Sequence, residues 1–381
     1  MSRTVLVSDQ LSLPVAEYSH AVRSGPFALM GAKGATRRNG PVPLGENFEH
    51  AIETQSELTL ANVEHVLKTL DTRPDEVAQV TAYLTDWRFQ TAVDEGLTRL
   101  LTKGPAVGHV FSSAFALPEL LFEIDLVAVP EATSERLIAD DTTRATWSAG
   151  WLFSAGLSAG PGAVGCTEEL SDLSTQIDAI LAESGLSREN VLRLRWSMTD
   201  ARDLATLDGW LEGWGGSRPA IIALVGSAAG AGRRLSVDFV ASSERPERVD
   251  EREAAWTTHA SHATAATFAG GVAFTSASAV TGTTGLGVEG IVERLGAAVA
   301  PFGLEVADAA KVEGVLDDWR LYSAFRREYA QTMSRPYPTR SLTQGGPSHA
   351  GAHVQLSWIA ISGAAQEATL LASPGTGTDG R

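Results

Sequence analysis

The sequence predicts an α+β fold built from three tandem modules, and an internal repeat carries this prediction. Three ten-residue segments each follow an amphipathic helix: Val77–Asp86, Val191–Asp200 and Ala309–Asp318. Each cycle has a second helical stretch and closes on a strand with apolar alternation: Phe122–Val129, Leu235–Ser242 and Val354–Ile361. Solenoid repeats run roughly 20–50 residues, so a period this long is a whole small domain. Strands mixed with two helices favour helices packed on one face of a mixed sheet.

Length and composition bound the answer. A chain of 381 residues holds two to four domains of roughly 100–200 residues, and 44% hydrophobic residues suffice for packed cores. The formal net charge of -16 argues against nucleic acid, so an anionic substrate requires a local Arg or Lys. The single cysteine, Cys166, excludes a disulfide framework. With no signal-peptide core and no apolar run of membrane-spanning length, we expect a soluble, cytoplasmic protein without membrane partners.

The elements of the first module follow one another clearly. Phe27–Met30 is a short apolar strand, and Asn39-Gly40 is a strong hairpin turn signal. Apolar residues between Phe48 and Leu70 mark one face of a helix. The equivalent helices of the later modules are Leu170–Ser184 and Val288–Phe302.

Composition also predicts the module limits, which are residues 1–130, 143–242 and 256–370. The polar, charged segments Pro130–Thr146 and Ser243–Arg252 are predicted to be linkers between them. Residues 371–381 are rich in glycine and polar residues, and we expect a disordered tail there.

Several segments share their order and spacing with a known family. In module 1 these are Tyr18, Asn39-Gly40, Gln55 with Leu60–Val63, Leu84–Asp86, Leu117-Pro118 and Glu123–Val129. Module 3 adds Phe274–Ala277 and Pro338–Ser341, and module 2 adds Phe153–Gly156. Across nearly the whole chain this order resembles the reactive intermediate deaminase family (RidA, also called YjgF).

The resemblance implies chorismate-mutase-like α+β modules. Members of that family form homotrimers with small-molecule sites between subunits, and they hydrolyse enamines and imines derived from amino acids. Three fused modules therefore imply a pseudo-threefold ring within one chain, a monomeric pseudo-trimer. Its expected partner is a small carboxylate-bearing substrate.

The resemblance also implies the two main site residues. The family's arginine binds the substrate carboxylate, and module 3 keeps it as Arg340; modules 2 and 1 have Ile221 and His109 (or Gly108) there. The family's glutamate handles water, and module 1 keeps it as Glu123; modules 2 and 3 have Ser236 and Gln355. In a closed ring module 3 contacts module 1, so Arg340 and Glu123 could line one cleft.

Further candidates come with alternatives that the sequence leaves open. Tyr18 and His20 are candidate catalytic residues, although a lone loop histidine is more often solvated. Ser341, Thr275 and Ser276 are candidate substrate-binding residues, although hydroxyls at strand ends are often ordinary polarity. Likewise Arg340 could be an interface ion-pair residue, and Glu123 could simply face solvent.

Neither a metal nor a cofactor is expected. Four histidines invite a zinc interpretation, but no carboxylate or cysteine pattern completes a site around His259, His262, His349 and His353. The loop Gly31–Thr36 lacks the ending of a phosphate-binding loop and does not precede a helix.

Three functions remain in competition. The first is enamine or imine hydrolysis, or a related step recruited to a specialised metabolic pathway. The second is a chorismatase-like activity on the same scaffold. The third is a non-catalytic ligand-binding pseudo-trimer, because two of the three modules lack the arginine.

Overall fold

The structure is a computed structural model that describes residues 3–12, 17–38, 40–139, 142–215, 218–226, 232–251, 263–282, 285–363 and 369–371. In these ranges the chain forms three similar α+β modules, each with a mixed sheet and two main helices. Asn39 of the predicted hairpin turn lies outside the described residues, as do His259 and His262.

Module 1 contains six strands and two helices. They are β1 (Thr4–Leu6), β2 (Ala21–Ser24), β3 (Phe27–Lys33), α1 (Phe48–Thr69), β4 (Val77–Leu84), α2 (Gln90–Leu100), β5 (Ala106–Phe111) and β6 (Phe122–Ala128). Helix α1 begins where the Asn47 side chain accepts a hydrogen bond from the backbone N–H of His50, which satisfies one free donor of the first turn. Strand β4 lies between β5, its parallel neighbour, and β6, its antiparallel neighbour.

Module 2 repeats this order. Its elements are β7 (Glu135–Ala139), β8 (Thr142–Ser148), β9 (Trp151–Ser154), β10 (Leu157–Ser158), α3 (Cys166–Glu183), β11 (Val191–Met198), α4 (Leu204–Glu212), β12 (Ala220–Val225) and β13 (Leu235–Ser242). Helix α3 starts four residues earlier than the sequence indicates and ends at Glu183.

Module 3 completes the set. Its elements are β14 (Glu247–Glu251), β15 (Ala263–Ala269), β16 (Val272–Thr275), β17 (Ser278–Ala279), α5 (Val288–Val299), β18 (Ala309–Leu316), α6 (Tyr322–Thr332), β19 (Thr339–Gln344), β20 (Gly346–Pro347), β21 (Val354–Ile361) and β22 (Thr369–Leu371). Single-turn 3-10 helices lie at Pro74–Glu76, Trp87–Phe89, Arg188–Asn190, Ala201–Asp203, Ala300–Phe302, Val306–Asp308 and Trp319–Leu321.

The two predicted linkers are wrong, because each contains a strand. Strand β7 pairs antiparallel with β8, and β14 pairs antiparallel with β15, at the outer edges of their sheets. Charged residues are usual in edge strands, where they discourage pairing with other chains. Leu371, predicted to begin the disordered tail, instead ends β22, which pairs in parallel with β1 of module 1. The other module limits stay predictions.

Contacts between modules run in a cycle. Strand β3 of module 1 lies against β19 of module 3, where a Cβ on Gly31 would come within 2.7 Å of the backbone N of Arg340. Gly156 of module 2 donates to the carbonyl of Val107 in module 1 (3.1 Å), and Ala277 of module 3 donates to the carbonyl of Ile221 in module 2 (2.9 Å). The inner faces of all three sheets share one apolar cluster, which includes Phe27, Leu29, Trp151, Phe153, Phe274 and Ile359. Burial of this cluster stabilises the ring.

Candidate active site between modules 1 and 3

A cavity of about 120 Å³ opens between modules 1 and 3. It is lined by apolar residues and by the polar or charged side chains of Ser12, Tyr18, His20, Lys33, Thr36, Asn62, Glu123, Tyr322 and Arg340. The two residues that the resemblance singles out, Arg340 and Glu123, therefore come from different modules and line the same cavity. A small pocket with a few convergent polar groups is the usual form of a ligand site.

Strand register identifies the equivalent positions in the other modules. Arg340 pairs with Val312, and the matching pairs are Leu194 with Ile221 and Val80 with Val107. The position of Arg340 in module 1 is therefore Val107, and the assignment to His109 or Gly108 is wrong by one or two residues. His109 instead lies 2.8 Å from Asp94 through its Nε2 atom.

The Arg340 guanidinium is held by aromatic rings. Its Cζ atom lies 5.1 to 5.2 Å from the ring centroids of Tyr18, Phe325 and Tyr329. Nη2 donates to the hydroxyl of Tyr322 (3.3 Å), while Nη1 is buried and has no hydrogen-bond partner in the described ranges. No ion pair involves Arg340 among those residues, which removes the interface ion-pair alternative. A buried donor without a partner favours an anionic ligand at this position.

Glu123 provides the titratable carboxyl of the cavity. Glu123 lies opposite Tyr83 in the sheet. Its side chain forms no hydrogen bond within the described part of the chain and lines the cavity. Burial raises the pKa of Glu123 to about 7, an effect that Lys33 opposes and Asp125 reinforces. Near neutral pH such a carboxyl can both accept and return a proton, as a general acid-base group must.

Tyr18 supplies an aromatic wall and a hydroxyl. Both Arg340 and Lys33 lie over its ring, the Lys33 Nζ at 5.2 Å from the centroid. Burial raises the pKa of Tyr18 above its ordinary value, so the phenol stays protonated. In this cavity Tyr18 is suited to donate a hydrogen bond and unsuited to act as a base.

His20 lines the cavity, but its ring is committed to the backbone. Nδ1 accepts from the N–H of Ser8 (2.9 Å), and Nε2 lies 2.9 Å from the carbonyl of Ser12. Burial, assisted by the charge of Lys33, lowers the pKa of His20 to about 3. Since neither nitrogen is available, the geometry contradicts the predicted acid-base role of His20 and gives it a structural one.

Thr275 and Ser276, the other candidate substrate-binding residues of module 3, do not line the cavity that contains Arg340. The Thr275 hydroxyl accepts from the backbone N–H of Trp358 (2.8 Å). The Ser276 hydroxyl accepts from the N–H of Ile221 (2.8 Å) and donates to the carbonyl of Thr264 (2.6 Å). Only the bond between Ile221 and Ser276 joins module 2 to module 3, and the other two lie within module 3.

Ser341 is also placed away from the cavity. Alternation along β19 directs Arg340 and Leu342 into the cavity and Ser341 toward the centre of the ring. There the Ser341 hydroxyl donates to a carboxylate oxygen of Asp125 (2.6 Å) and accepts from the N–H of Ala32 (3.2 Å). Ser341 thus joins module 3 to module 1 and does not face the ligand cavity.

Two features escaped the sequence analysis. The first is Lys33, whose side chain lines the cavity and is 6% exposed. Burial lowers the pKa of Lys33 to about 8, although Glu123 and Asp125 act in the opposite direction. Gly31–Thr36 does not fit a phosphate-binding loop, and its lysine was therefore not taken as a candidate site residue. The sequence signal for Lys33 was a basic side chain at the end of an apolar strand.

The second feature is a layer of buried charges around the axis of the ring. Lys311 pairs with Asp125 (2.7 Å), Arg193 with Glu313 (2.7 Å) and Arg195 with Asp238 (2.8 Å). The pairs join residues of all three modules. Charged residues at alternate positions of otherwise apolar strands, as in β11 and β18, were the sequence signal for this layer.

The other two clefts lack the arginine and glutamate pair. Between modules 2 and 3, the Gln355 amide donates to the carbonyl of Ala223 (3.0 Å) and accepts from the N–H of Ser348 (2.8 Å). Between modules 1 and 2, the corresponding positions are Val107 and Ser236. Within the described ranges, no group of three or more metal-binding side chains occurs. None of the helices described has the length and apolarity needed to cross a membrane.

Comparisons with known proteins agree with this architecture. The family model described as Endoribonuclease L-PSP matches residues 10–130. The alignment with a solved chorismatase covers 75% of this chain and 93% of the chorismatase chain, at 14% identity and a TM-score of 0.53. A putative endoribonuclease from Thermotoga maritima aligns with 34% of this chain and 99% of its own (23% identity, TM-score 0.31). The alignment with a YjgF-family protein from Neisseria meningitidis covers 29% of this chain and 95% of that protein (24% identity, TM-score 0.27). No curated protein matches significantly.

Proposed function

We propose that the chain, whose residues 10–130 match the Endoribonuclease L-PSP family model, is an enzyme that hydrolyses a small enamine or imine bearing a carboxylate. The cleft between modules 1 and 3 is its proposed active site. The single observation that carries this proposal is the meeting of Arg340 and Glu123 in one cavity, each the only residue of its kind among three equivalent positions.

Arg340 is the proposed carboxylate clamp. Its ring contacts fix the guanidinium plane, and Nη1 is free to donate. A planar fork recognises a carboxylate with two parallel hydrogen bonds, and exclusion of water strengthens both. Together with Lys33 it makes the cavity locally cationic within a chain of net charge -16.

Glu123 is the proposed acid-base residue. A protonated Glu123 gives its proton to the terminal carbon of the enamine, which becomes an imine. The resulting carboxylate then takes a proton from water as the water oxygen bonds to the imine carbon. Glu123 returns that proton to the nitrogen and takes up the hydroxyl proton as ammonia leaves, so that a 2-oxo acid remains, one water is consumed and Glu123 is again protonated. A pKa of about 7 suits both steps at neutral pH.

The direct test uses 2-aminoacrylate generated in situ, with release of ammonia and pyruvate above the uncatalysed rate as the readout. Glu123→Gln and Arg340→Ala are expected to lose this activity. Glu119→Gln and Arg320→Ala are matched controls, because both side chains are exposed. An uncatalysed rate with the wild-type chain, or full activity in both site variants, contradicts the proposal.

A chorismatase-like activity is the second candidate, favoured by the fold likeness to the chorismatase over three quarters of the chain. An arginine clamp would serve the carboxylates of chorismate as well as those of an imino acid. Release of pyruvate from chorismate without ammonia distinguishes this reaction. Carboxylate binding without either reaction identifies a ligand-binding protein.

We further propose that the chain acts as a monomer with one ligand site. The cyclic contacts already cover the inner face of each sheet within one chain. Light scattering is expected to give one chain per particle, and calorimetry with a non-hydrolysable carboxylate is expected to give one site per chain. An obligate trimer or three equivalent sites contradicts this part.

A further inference from the structure

Comparison of the three modules isolates a third residue that occurs once and reaches the same cavity. Lys33 ends β3, and its position corresponds to Leu157 in module 2 and Ser278 in module 3. Lys33, Glu123 and Arg340 are thus each found in one module of three. All three line the same cleft, the one between modules 1 and 3, although the repeat offers each of them three equivalent positions.

The Lys33 side chain has no partner that would explain its burial. Its Nζ donates to the adjacent carbonyl of Ala32 (3.2 Å) and lies over the ring of Tyr18. Within the described ranges it forms no ion pair with a carboxylate, whereas the buried Lys311 pairs with Asp125. A buried ammonium held by one carbonyl and one ring is poorly compensated, which lowers the affinity of Lys33 for its proton.

A neutral amine beside a carboxylate clamp is suited to attack a carbonyl or imine carbon. Lysine is the residue that enzymes use to form imines with carbonyl substrates when desolvation lowers its affinity for a proton. Lys33 and Arg340 lie over the same Tyr18 ring and line the same cavity, so a substrate whose carboxylate binds Arg340 occupies the cavity that Lys33 also lines. The lowered pKa of about 8 leaves part of the Lys33 population unprotonated at neutral to mildly alkaline pH.

We propose that Lys33 is a nucleophile that forms a covalent imine with the C2 atom of a 2-imino or 2-oxo acid clamped by Arg340. This inference rests on the proposed function and adds a covalent step to it. The Nζ lone pair bonds to C2 of the protonated imine, one Nζ proton moves to the substrate nitrogen, and ammonia leaves. Water then adds to the lysine-bound imine with Glu123 taking its proton. Glu123 returns that proton to Nζ, the C–Nζ bond breaks, and the hydroxyl proton passes to Glu123, which releases the 2-oxo acid and regenerates the amine.

Borohydride reduction tests this step, because it converts a lysine imine into a stable secondary amine. The full-length chain is incubated with pyruvate, reduced with sodium borohydride and mapped by peptide mass. The sequence has four lysines, which makes the assignment simple. Lys103→Met is the matched control, since this side chain is exposed. Lys33→Arg keeps a cation in the cavity but cannot form the imine.

A carboxyethyl group on Lys33 that persists in Lys103→Met and falls at least tenfold in Arg340→Ala supports the inference. Equal labelling of Lys33, Lys68 and Lys103 overturns it, as does wild-type turnover of 2-aminoacrylate by Lys33→Arg. Hydrolysis by the wild type with no label on Lys33 overturns the inference and leaves the proposed function intact. Labelling of Lys33 without any hydrolysis supports the inference and contradicts the proposed function.

Discussion

Lys33 of module 1 and Arg340 of module 3 lie over the same ring, that of Tyr18, each 5.2 Å from its centroid. Two cations from different modules thus share one aromatic wall in a cavity with a single carboxyl, that of Glu123. The ring quadrupole offsets part of the cost of holding both cations away from water. The contact between modules 1 and 3 therefore determines which charged side chains the cavity contains.

Removal of the guanidinium tests the clamp directly. In Arg340→Ala the loss of a desolvated contact to a carboxylate is expected to cost about 2–5 kcal/mol of binding or transition-state stabilisation. Arg340→Lys is expected to recover part of this, because an ammonium cannot reproduce the planar fork. Steady-state kinetics and ligand calorimetry measure both effects.

The fold of Arg340→Ala is expected to remain close to wild type, since the side chain lies in an inter-module cleft. Thermal unfolding monitored by circular dichroism, with Arg320→Ala alongside, provides this comparison. A variant that unfolds at much lower temperature, while its folded fraction keeps full activity, would assign Arg340 a purely structural role.

Glu123 gives the stability of the chain a specific pH dependence. Its pKa rises from 4.5 to about 7 on folding, so the native state holds a proton that the unfolded chain has released. The contribution of the protonated carboxyl is complete below pH 4.5 and is lost as pH rises through 7. Relative to Glu123→Gln, the wild type is expected to lose of the order of 2–3 kcal/mol between pH 4.5 and 8. Urea unfolding of both chains over this range is the measurement, and parallel stability curves would contradict the raised pKa.

Ser276 is expected to support the interface and not the chemistry. In Ser276→Ala the buried N–H of Ile221 loses its acceptor, which costs roughly 1–3 kcal/mol. The melting temperature should fall while kcat/KM per folded molecule stays at the wild-type value. A selective loss of kcat/KM in Ser276→Ala would restore the substrate-binding role that the sequence suggested.

The buried pair of Lys311 and Asp125 is expected to be sensitive to the loss of one partner. Lys311→Met leaves the Asp125 carboxylate with hydrogen bonds from Tyr83 and Ser341 but removes the ammonium that pairs with it. Such a break typically costs about 3–5 kcal/mol. The double variant Lys311→Met/Asp125→Asn should recover part of that loss in urea unfolding, and Lys103→Met should have little effect. Equal stability of the single and double variants would argue against an uncompensated carboxylate.

The repeat made the fold predictable, because three copies of one pattern located the central helices and strands independently. Strands β7 and β14 were not predicted, because their charged residues suggested linkers. Edge strands tolerate charge because one side has no neighbouring strand, so composition alone does not separate them from linkers.

The site was predictable only in part. The residues Arg340 and Glu123 followed from a resemblance, but Thr275 and Ser276, also named as candidate substrate-binding residues, do not line their cavity. Strand β16, which ends at Thr275, faces Ile221 of module 2; its counterpart β3 in module 1 faces Arg340. The direction in which modules follow one another around a ring is a tertiary property that the pattern within one module does not contain.

The parallel pairing of β22 with β1 has a consequence for synthesis of the chain. Module 1 leaves the ribosome first, yet β22, the strand that covers β1, belongs to module 3. Until then β1 presents an uncovered backbone edge, and β19, which supplies Arg340 to the module 1 cleft, is also absent. The sheet of module 1 and the cleft between modules 1 and 3 are therefore both completed only after module 3 has been made.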